Sequence, residues 1–170
     1  AAMNRRYTRG DYISKVEKLR AAVPDIGLST DLIVAFPGET EEDFADTLSL
    51  AREIRFDSAF TFIYSPRNGT KAADMSLRVP PDVATERIER LIALQTGITE
   101  EIFVSLVGAR ERVLVTGTSR RSDRQLTGKS GRNISVNFAG SPGDIGKIVP
   151  VVITSAKKNT LIGKKEEASL

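Results

Sequence analysis

Apolar positions in this chain follow two rhythms, a helical one interrupted by short apolar runs and, later, a strand-like alternation. Tyr12, Val16, Leu19 and Val23 recur every three or four residues and predict a helix over 11–23, which Pro24 stops. Ile26 to Phe36 is short, mostly apolar and β-branched, which predicts a strand covered on both faces. Pro37-Gly38 ends that strand. Thr40 is a candidate N-cap, and Asp43 three residues on completes a capping box with Asp in place of Glu or Gln. The acidic Glu41, Glu42 and Asp43 suit the positive end of a helix that continues through Phe44, Leu48, Ala51 and Ile54. A second strand follows over Ser58 to Tyr64 and is broken by Pro66, Asn68 and Gly69. Pro80-Pro81-Asp82 then opens a long helix through Val83, Ile88, Leu91, Ile92, Leu94, Ile98 and Phe103.

This order of helix, strand, helix, strand, helix is an α/β pattern of parallel strands joined by crossover helices. Two strands complete neither a sheet nor a barrel, so the pattern calls for further strands from elsewhere. Beyond Val107-Gly108 the texture changes to an all-β one. Arg112 to Thr116, Asn133 to Phe138, Lys147 to Thr154 and Asn159 to Ile162 are separated by Gly, Ser, Pro and Asp, as in a small antiparallel barrel. The boundary falls near residue 104, giving domains 1–104 and 105–170.

Composition narrows the chemistry. The chain has no cysteine and no histidine, which removes thiolate metal sites, disulfides, thiol catalysis and the usual general base. No apolar stretch approaches the roughly 20 residues that span a bilayer, and no signal-peptide pattern opens the chain. A soluble, cytoplasmic protein without membrane contact is the expectation. Net charge divides unevenly: residues 1–104 carry 13 Lys/Arg against 17 Asp/Glu, whereas residues 105–170 carry 12 against 5. A basic module beside an acidic one points to a polyanionic partner or, equally, to a solvated surface.

If 28–36 is a strand, Ser29, Asp31, Ile33 and Ala35 share one face. Asp31 then either faces a polar or cationic ligand in a barrel interior or forms a structural salt bridge there. The Phe36-Pro37-Gly38-Glu39-Thr40 turn stands at the C-terminal end of its strand, where βα proteins place ligand sites, and the helix after it offers free N–H groups. Tyr64, Arg67 and Thr70 occupy the equivalent position after the second strand. Arg67 is suited to clamp a carboxylate or phosphate, and Tyr64 to stack or hydrogen-bond. In the basic module Arg120, Arg121, Arg124, Lys129 and Arg132 crowd one hairpin-like region, and Lys157 and Lys158 mark a later loop. They form either an electrostatic footprint for RNA or a solvated turn. Phe138 is the only aromatic residue of that module, which favours phosphate and shape recognition over base reading.

Met3-Asn4-Arg5-Arg6-Tyr7-Thr8, the run Ser29 to Phe44, Phe56-Asp57-Ser58-Ala59-Phe60, Tyr64-Ser65-Pro66-Arg67-Asn68-Gly69-Thr70 and Leu94-Gln95 occur in an order and spacing that resemble the second half of the radical S-adenosylmethionine barrel of MiaB-type tRNA methylthiotransferases. Gly128-Lys129, Asn133, Val136-Asn137-Phe138, Gly146 and Leu161-Ile162-Gly163 are similar to the TRAM module that ends those proteins. The resemblance covers nearly the whole chain. Its Ser-Pro-Arg tyrosine loop leans towards the tRNA-modifying branch over the ribosomal-protein branch. Two departures stand out: Ala35 where the family usually has Gly, and Lys129 for a common Arg, which keeps charge but loses bidentate recognition.

The resemblance implies a fold of partial (β/α) barrel plus small TRAM β-barrel, and a parent enzyme with two iron-sulfur clusters. One cluster, on a CxxxCxxC loop, would cleave S-adenosylmethionine to a 5′-deoxyadenosyl radical; the other would help deliver sulfur, and a second S-adenosylmethionine would supply the methyl group. By that analogy Asp31, Pro37, Gly38, Glu39, Tyr64 and Arg67 surround the cofactor and substrate pocket. The implied partners are tRNA and the missing N-terminal part of the same polypeptide. Lacking thiolates, this chain alone is expected to bind no cofactor or metal, to supply no catalytic residue and to be inactive. An unpaired apolar strand edge would invite self-association. The alternatives are a stand-alone RNA-binding module and a methylthiotransferase acting on a ribosomal protein.

Overall fold

A computed structural model describes residues 3–119 and 122–166. It divides into two compact units, Ala1–Thr99 and Glu100–Leu170.

In the first unit, α1 (Arg9–Ala22) starts two residues before the expected position, because Thr8 caps it. The Thr8 hydroxyl accepts the Asp11 N–H at 3.2 Å, and Asp11 accepts the Thr8 N–H at 2.8 Å. The apolar stripe is covered only in part. Val16 is buried with Ile54 and Phe56, against Tyr12, Ile13, Leu28 and Leu50, whereas Leu19 and Val23 are exposed.

Strands β1 (Ser29–Val34) and β2 (Ser58–Ile63) pair in parallel, in register from Ser29 opposite Ser58 to Val34 opposite Ile63. Helix α2 (Glu41–Ile54) connects them and begins with the predicted capping box. Asp43 donates its N–H to the Thr40 hydroxyl at 3.1 Å and accepts the Thr40 N–H at 2.9 Å. That backbone hydrogen bond, reinforced by the Thr40 hydroxyl, holds the Asp43 carboxyl below the usual carboxylate range. Helix α3 (Pro81–Ser105) completes the layer: Val34, Phe44, Leu48 and Leu91 form a core with Leu32, Ile88 and Leu94. At the N-terminal ends of the strands, Gln95 donates to the Phe56 carbonyl at 2.8 Å and Thr99 to that of Asp57 at 3.0 Å.

The expectation of a strand covered on both faces is corrected. Leu32 and Val34 of β1 face the helices, but Ile33 is exposed, and so are Phe60 (66%) and Phe62 (50%) on β2. Only two strands form this sheet among the described residues, so a second layer is absent there.

The second unit is a closed barrel of β3 (Arg110–Ser119), β4 (Ser122–Lys129), β5 (Ser135–Ala139), β6 (Ile148–Lys157) and β7 (Thr160–Lys165), in the order β3-β4-β5-β7-β6. β4 occupies the stretch expected to be a hairpin-like region between strands. One pairing departs from the antiparallel expectation, since β5 and β7 run parallel. Val113, Val115, Leu126, Val136, Phe138, Val149, Val151, Ile153 and Leu161 fill the interior. Among the described residues no helix is long and apolar enough to cross a membrane.

Candidate functional site

A cavity in the first unit measures about 850 Å³, within the range of small-molecule sites. Its walls bring together Asp31, Tyr64 and Arg67 and leave out Pro37, Gly38 and Glu39. Asp31 lies opposite Phe60 on the exposed face of the sheet. Of its two expected roles, the structural salt bridge is not found among the described residues. The Tyr64 hydroxyl is buried and has no hydrogen-bond partner among them either. An orphaned buried hydroxyl is costly unless a ligand or water completes it, and this one belongs to a residue of the cavity wall. The Tyr64 ring meets Phe36 edge-on at 5.1 Å, and the Arg78 guanidinium lies 5.7 Å from it. Arg5 and Tyr7 also line the cavity. Sequence reasoning singled out neither as a site residue, although a cation and an aromatic ring just ahead of a helix cap were a usable signal.

The turn after β1 is built differently from the expectation of free N–H groups. Gly38, at φ +82°, donates its N–H to the Leu77 carbonyl at 2.7 Å, and Glu39 donates to Phe36 at 2.9 Å. Thr40 and Asp43 satisfy one another. These four amides are therefore unavailable to a ligand, and the start of α2 is not an open anion site at those positions. Pro37 is buried. Glu39 turns inward: its carboxylate accepts the Ala35 N–H at 2.9 Å and the Arg87 guanidinium at 2.9 Å.

In the barrel, connectivity separates cations that the sequence groups together. β4 has eight residues and so runs about 24 Å between its two connections. Lys129 and Arg132 lie at its far end, where Lys129 donates to the Asn133 carbonyl at 3.2 Å and the Ser135 hydroxyl at 3.0 Å. Thr160 bonds the Ser135 carbonyl at 2.9 Å, so the β6–β7 turn with exposed Lys157 and Lys158 shares that end. The β3–β4 connection joins the opposite end of β4. Arg120 and Arg121 lie outside the described residues, as does the side chain of Arg124.

Residues 104–165 match the family model described as the TRAM domain. This part of the chain is a TRAM domain. Over nearly its whole length the chain matches the C-terminal part of MiaB-type tRNA methylthiotransferases. It is 48% identical over 161 residues to the tRNA-2-methylthio-N(6)-dimethylallyladenosine synthase of Acetivibrio thermocellus, a match covering 95% of this chain and 34% of that protein. The synthase of the same name from Methylococcus capsulatus is 48% identical over 162 residues, 95% of this chain and 35% of the relative. That of Clostridium novyi is 46% identical, again over 95% of this chain and 36% of the relative. The chain spans about a third of the length of these curated relatives.

The TRAM domain gives a physical reason for two glycines that carry the resemblance. A side chain at Gly128 would collide with the Leu114 carbonyl and Val113, and one at Gly163 with Val151. Their partner strands shift register at Val115/Gly117 and Ile153/Ser155. Close strand approach at these bends leaves no room for a Cβ.

Proposed function

We propose that this chain is the C-terminal part of a radical S-adenosylmethionine tRNA methylthiotransferase of the cytoplasm, which adds a methylthio group to a modified adenosine of tRNA. Residues 1–104 are the last strands and helices of its catalytic barrel, and residues 105–170 are the module that holds tRNA. The observation that carries this reading is the extent of identity to the tRNA-modifying synthases, over 161 of the 170 residues and so through both units. A stand-alone RNA-binding module would need only the second.

The cavity suits S-adenosylmethionine, because the orphaned Tyr64 hydroxyl and the Arg67 guanidinium offer polar and cationic contacts in one apolar-walled space. When bound, that group supplies the methyl group and the hydrogen-abstracting chemistry. Arg67 holds a carboxylate or phosphate, Tyr64 completes its hydrogen bond on the ligand, and Asp31 meets a hydroxyl or ammonium. Iron-sulfur clusters do not fit here. The chain has no cysteine, and no group of three metal-ligating side chains occurs among the described residues. Those ligands belong to the rest of the polypeptide, and this chain alone is catalytically incomplete.

For RNA, the favoured contact is the barrel end that carries Lys129, Arg132, Lys157 and Lys158. The test compares salt dependence of tRNA binding by the chain and by a Lys157→Ala/Lys158→Ala variant. Each lost phosphate contact reduces the log-log slope by about 0.7 to 0.9, so the variant is expected to flatten it by about 1.5. An unchanged slope would return this end to a solvated turn. In the full-length protein, Asp31→Ala and Arg67→Ala are expected to lower turnover far more than tRNA affinity. Loss of tRNA affinity with turnover intact at saturating tRNA would sink the pocket assignment.

A further inference from the structure

Arg87 carries a charge into the interior of the first unit, and no motif in the sequence accounts for it. It projects from α3 with 5% of its surface exposed, and the Glu39 side chain that it meets is 9% exposed. Its Nη1 donates to Glu39 Oε1 at 2.9 Å and to the Glu39 carbonyl at 3.1 Å. The guanidinium also lies 5.6 Å from the Phe44 ring centroid. The same Glu39 oxygen accepts the Ala35 N–H at 2.9 Å. One carboxylate oxygen thus joins α3, 48 residues away in sequence, to the backbone of the turn.

Ala35 has φ +59°, in the left-handed region where a Cβ is strained. Something must hold it there. A buried ion pair adds little net stability over apolar groups of equal volume, yet it fixes the geometry of whatever it grips. Here it grips the residues on both sides of Phe36, whose ring meets Tyr64 edge-on in the wall of the cavity. The geometry points to Arg87 as a positioning residue: by pinning Glu39 beneath the Phe36-Pro37-Gly38 turn it keeps Ala35 left-handed and sets the Phe36 and Tyr64 rings. The consequence for ligand binding rests on the pocket reading above; the positioning itself does not.

The test follows amide exchange and ring resonances in the whole chain by NMR. Arg87→Ala should speed exchange of the Ala35 amide by about tenfold and shift the Tyr64 ring resonance. The Leu28 amide, bonded to Asp57 at the other end of β1, should change by less than about threefold. Arg87→Lys, which restores the charge, should recover most of the protection. Ala35→Gly in the Arg87→Ala background should return the Tyr64 resonance towards its original position, since glycine needs no lock to stay left-handed. Equal acceleration at Ala35 and Leu28, or none at Ala35, overturns the proposal. If Arg87→Ala fails to fold, Glu39→Gln replaces it, with faster Ala35 exchange expected and unchanged exchange counting against. Failure of the pocket reading would show elsewhere, as unchanged S-adenosylmethionine affinity in full-length Arg67→Ala, and would leave the exchange pattern intact.

Discussion

The α/β unit and the TRAM barrel treat their β-sheets in opposite ways. The barrel closes on itself, so each strand pairs on both sides and inward residues such as Val136, Val151 and Leu161 are fully buried. The two-stranded sheet of the α/β unit is covered by helices on one face, while Phe60, Phe62 and Ile33 stand exposed on the other. Closure satisfies backbone groups locally and removes edges. An open sheet leaves backbone groups and apolar surface for another layer to cover. The barrel thus completes its own strand pairing, whereas the α/β unit leaves one apolar sheet face uncovered among the described residues.

Equivalent truncations test this contrast most severely. Phe44→Ala and Phe138→Ala each remove a fully buried ring and should cost about 3–5 kcal/mol, read from denaturant melts followed through protected amides of the respective unit. A much smaller loss at Phe44 would mean that the open unit tolerates cavities that the barrel does not. Gly163→Ala should cost about 1–3 kcal/mol in the barrel, because its Cβ would meet Val151 and the Val152 backbone. A neutral result would show that the bend relaxes. Thr40→Ala removes the α2 cap and should cost about 1 kcal/mol in the α/β unit alone.

Acid sharpens the comparison from the barrel side. The Asp144 carboxyl is held below the usual carboxylate range by its hydrogen bond to Lys165, at 2.6 Å, with further help from the Ser141 backbone. A carboxyl depressed in the folded state stabilises above its unfolded pKa, and that contribution fades as pH falls below about 4 towards the folded value. Barrel melting temperature should therefore drop over this acidic window, and Asp144→Asn should flatten the drop. The smallest effect on stability is expected for Phe60→Ser, within about 0.5 kcal/mol, as for other exposed positions. Its readout is concentration-dependent sedimentation. Reduced self-association is expected, and unchanged association would remove the open face as its cause.

Local chemistry wrote much of this structure into the sequence. The Thr40–Asp43 box, the stop at Pro24 and the two strands before Gly/Pro turns depend on residues within a few positions of one another, so their signals survive without tertiary context. Tyr64 and Arg67 stand out in the sequence because strand ends before turns are where βα units gather ligands, and Asp31 because it is a charge within an apolar strand; all three line the cavity. β4 was not. Ser122–Lys129 is mostly polar, and Leu126 and the cramped Gly128 are its buried positions among those described, so only barrel closure makes it a strand. Which cations share a barrel end was likewise decided by the Thr160–Ser135 contact, 25 residues apart, and not by their nearness in sequence. Glu39 reads as a ligand at a turn until Arg87 draws it inward. Sequence alone determined the propensities and caps; long-range pairing decided where each side chain points, because burial and ion pairing act between residues that the chain brings together only on folding.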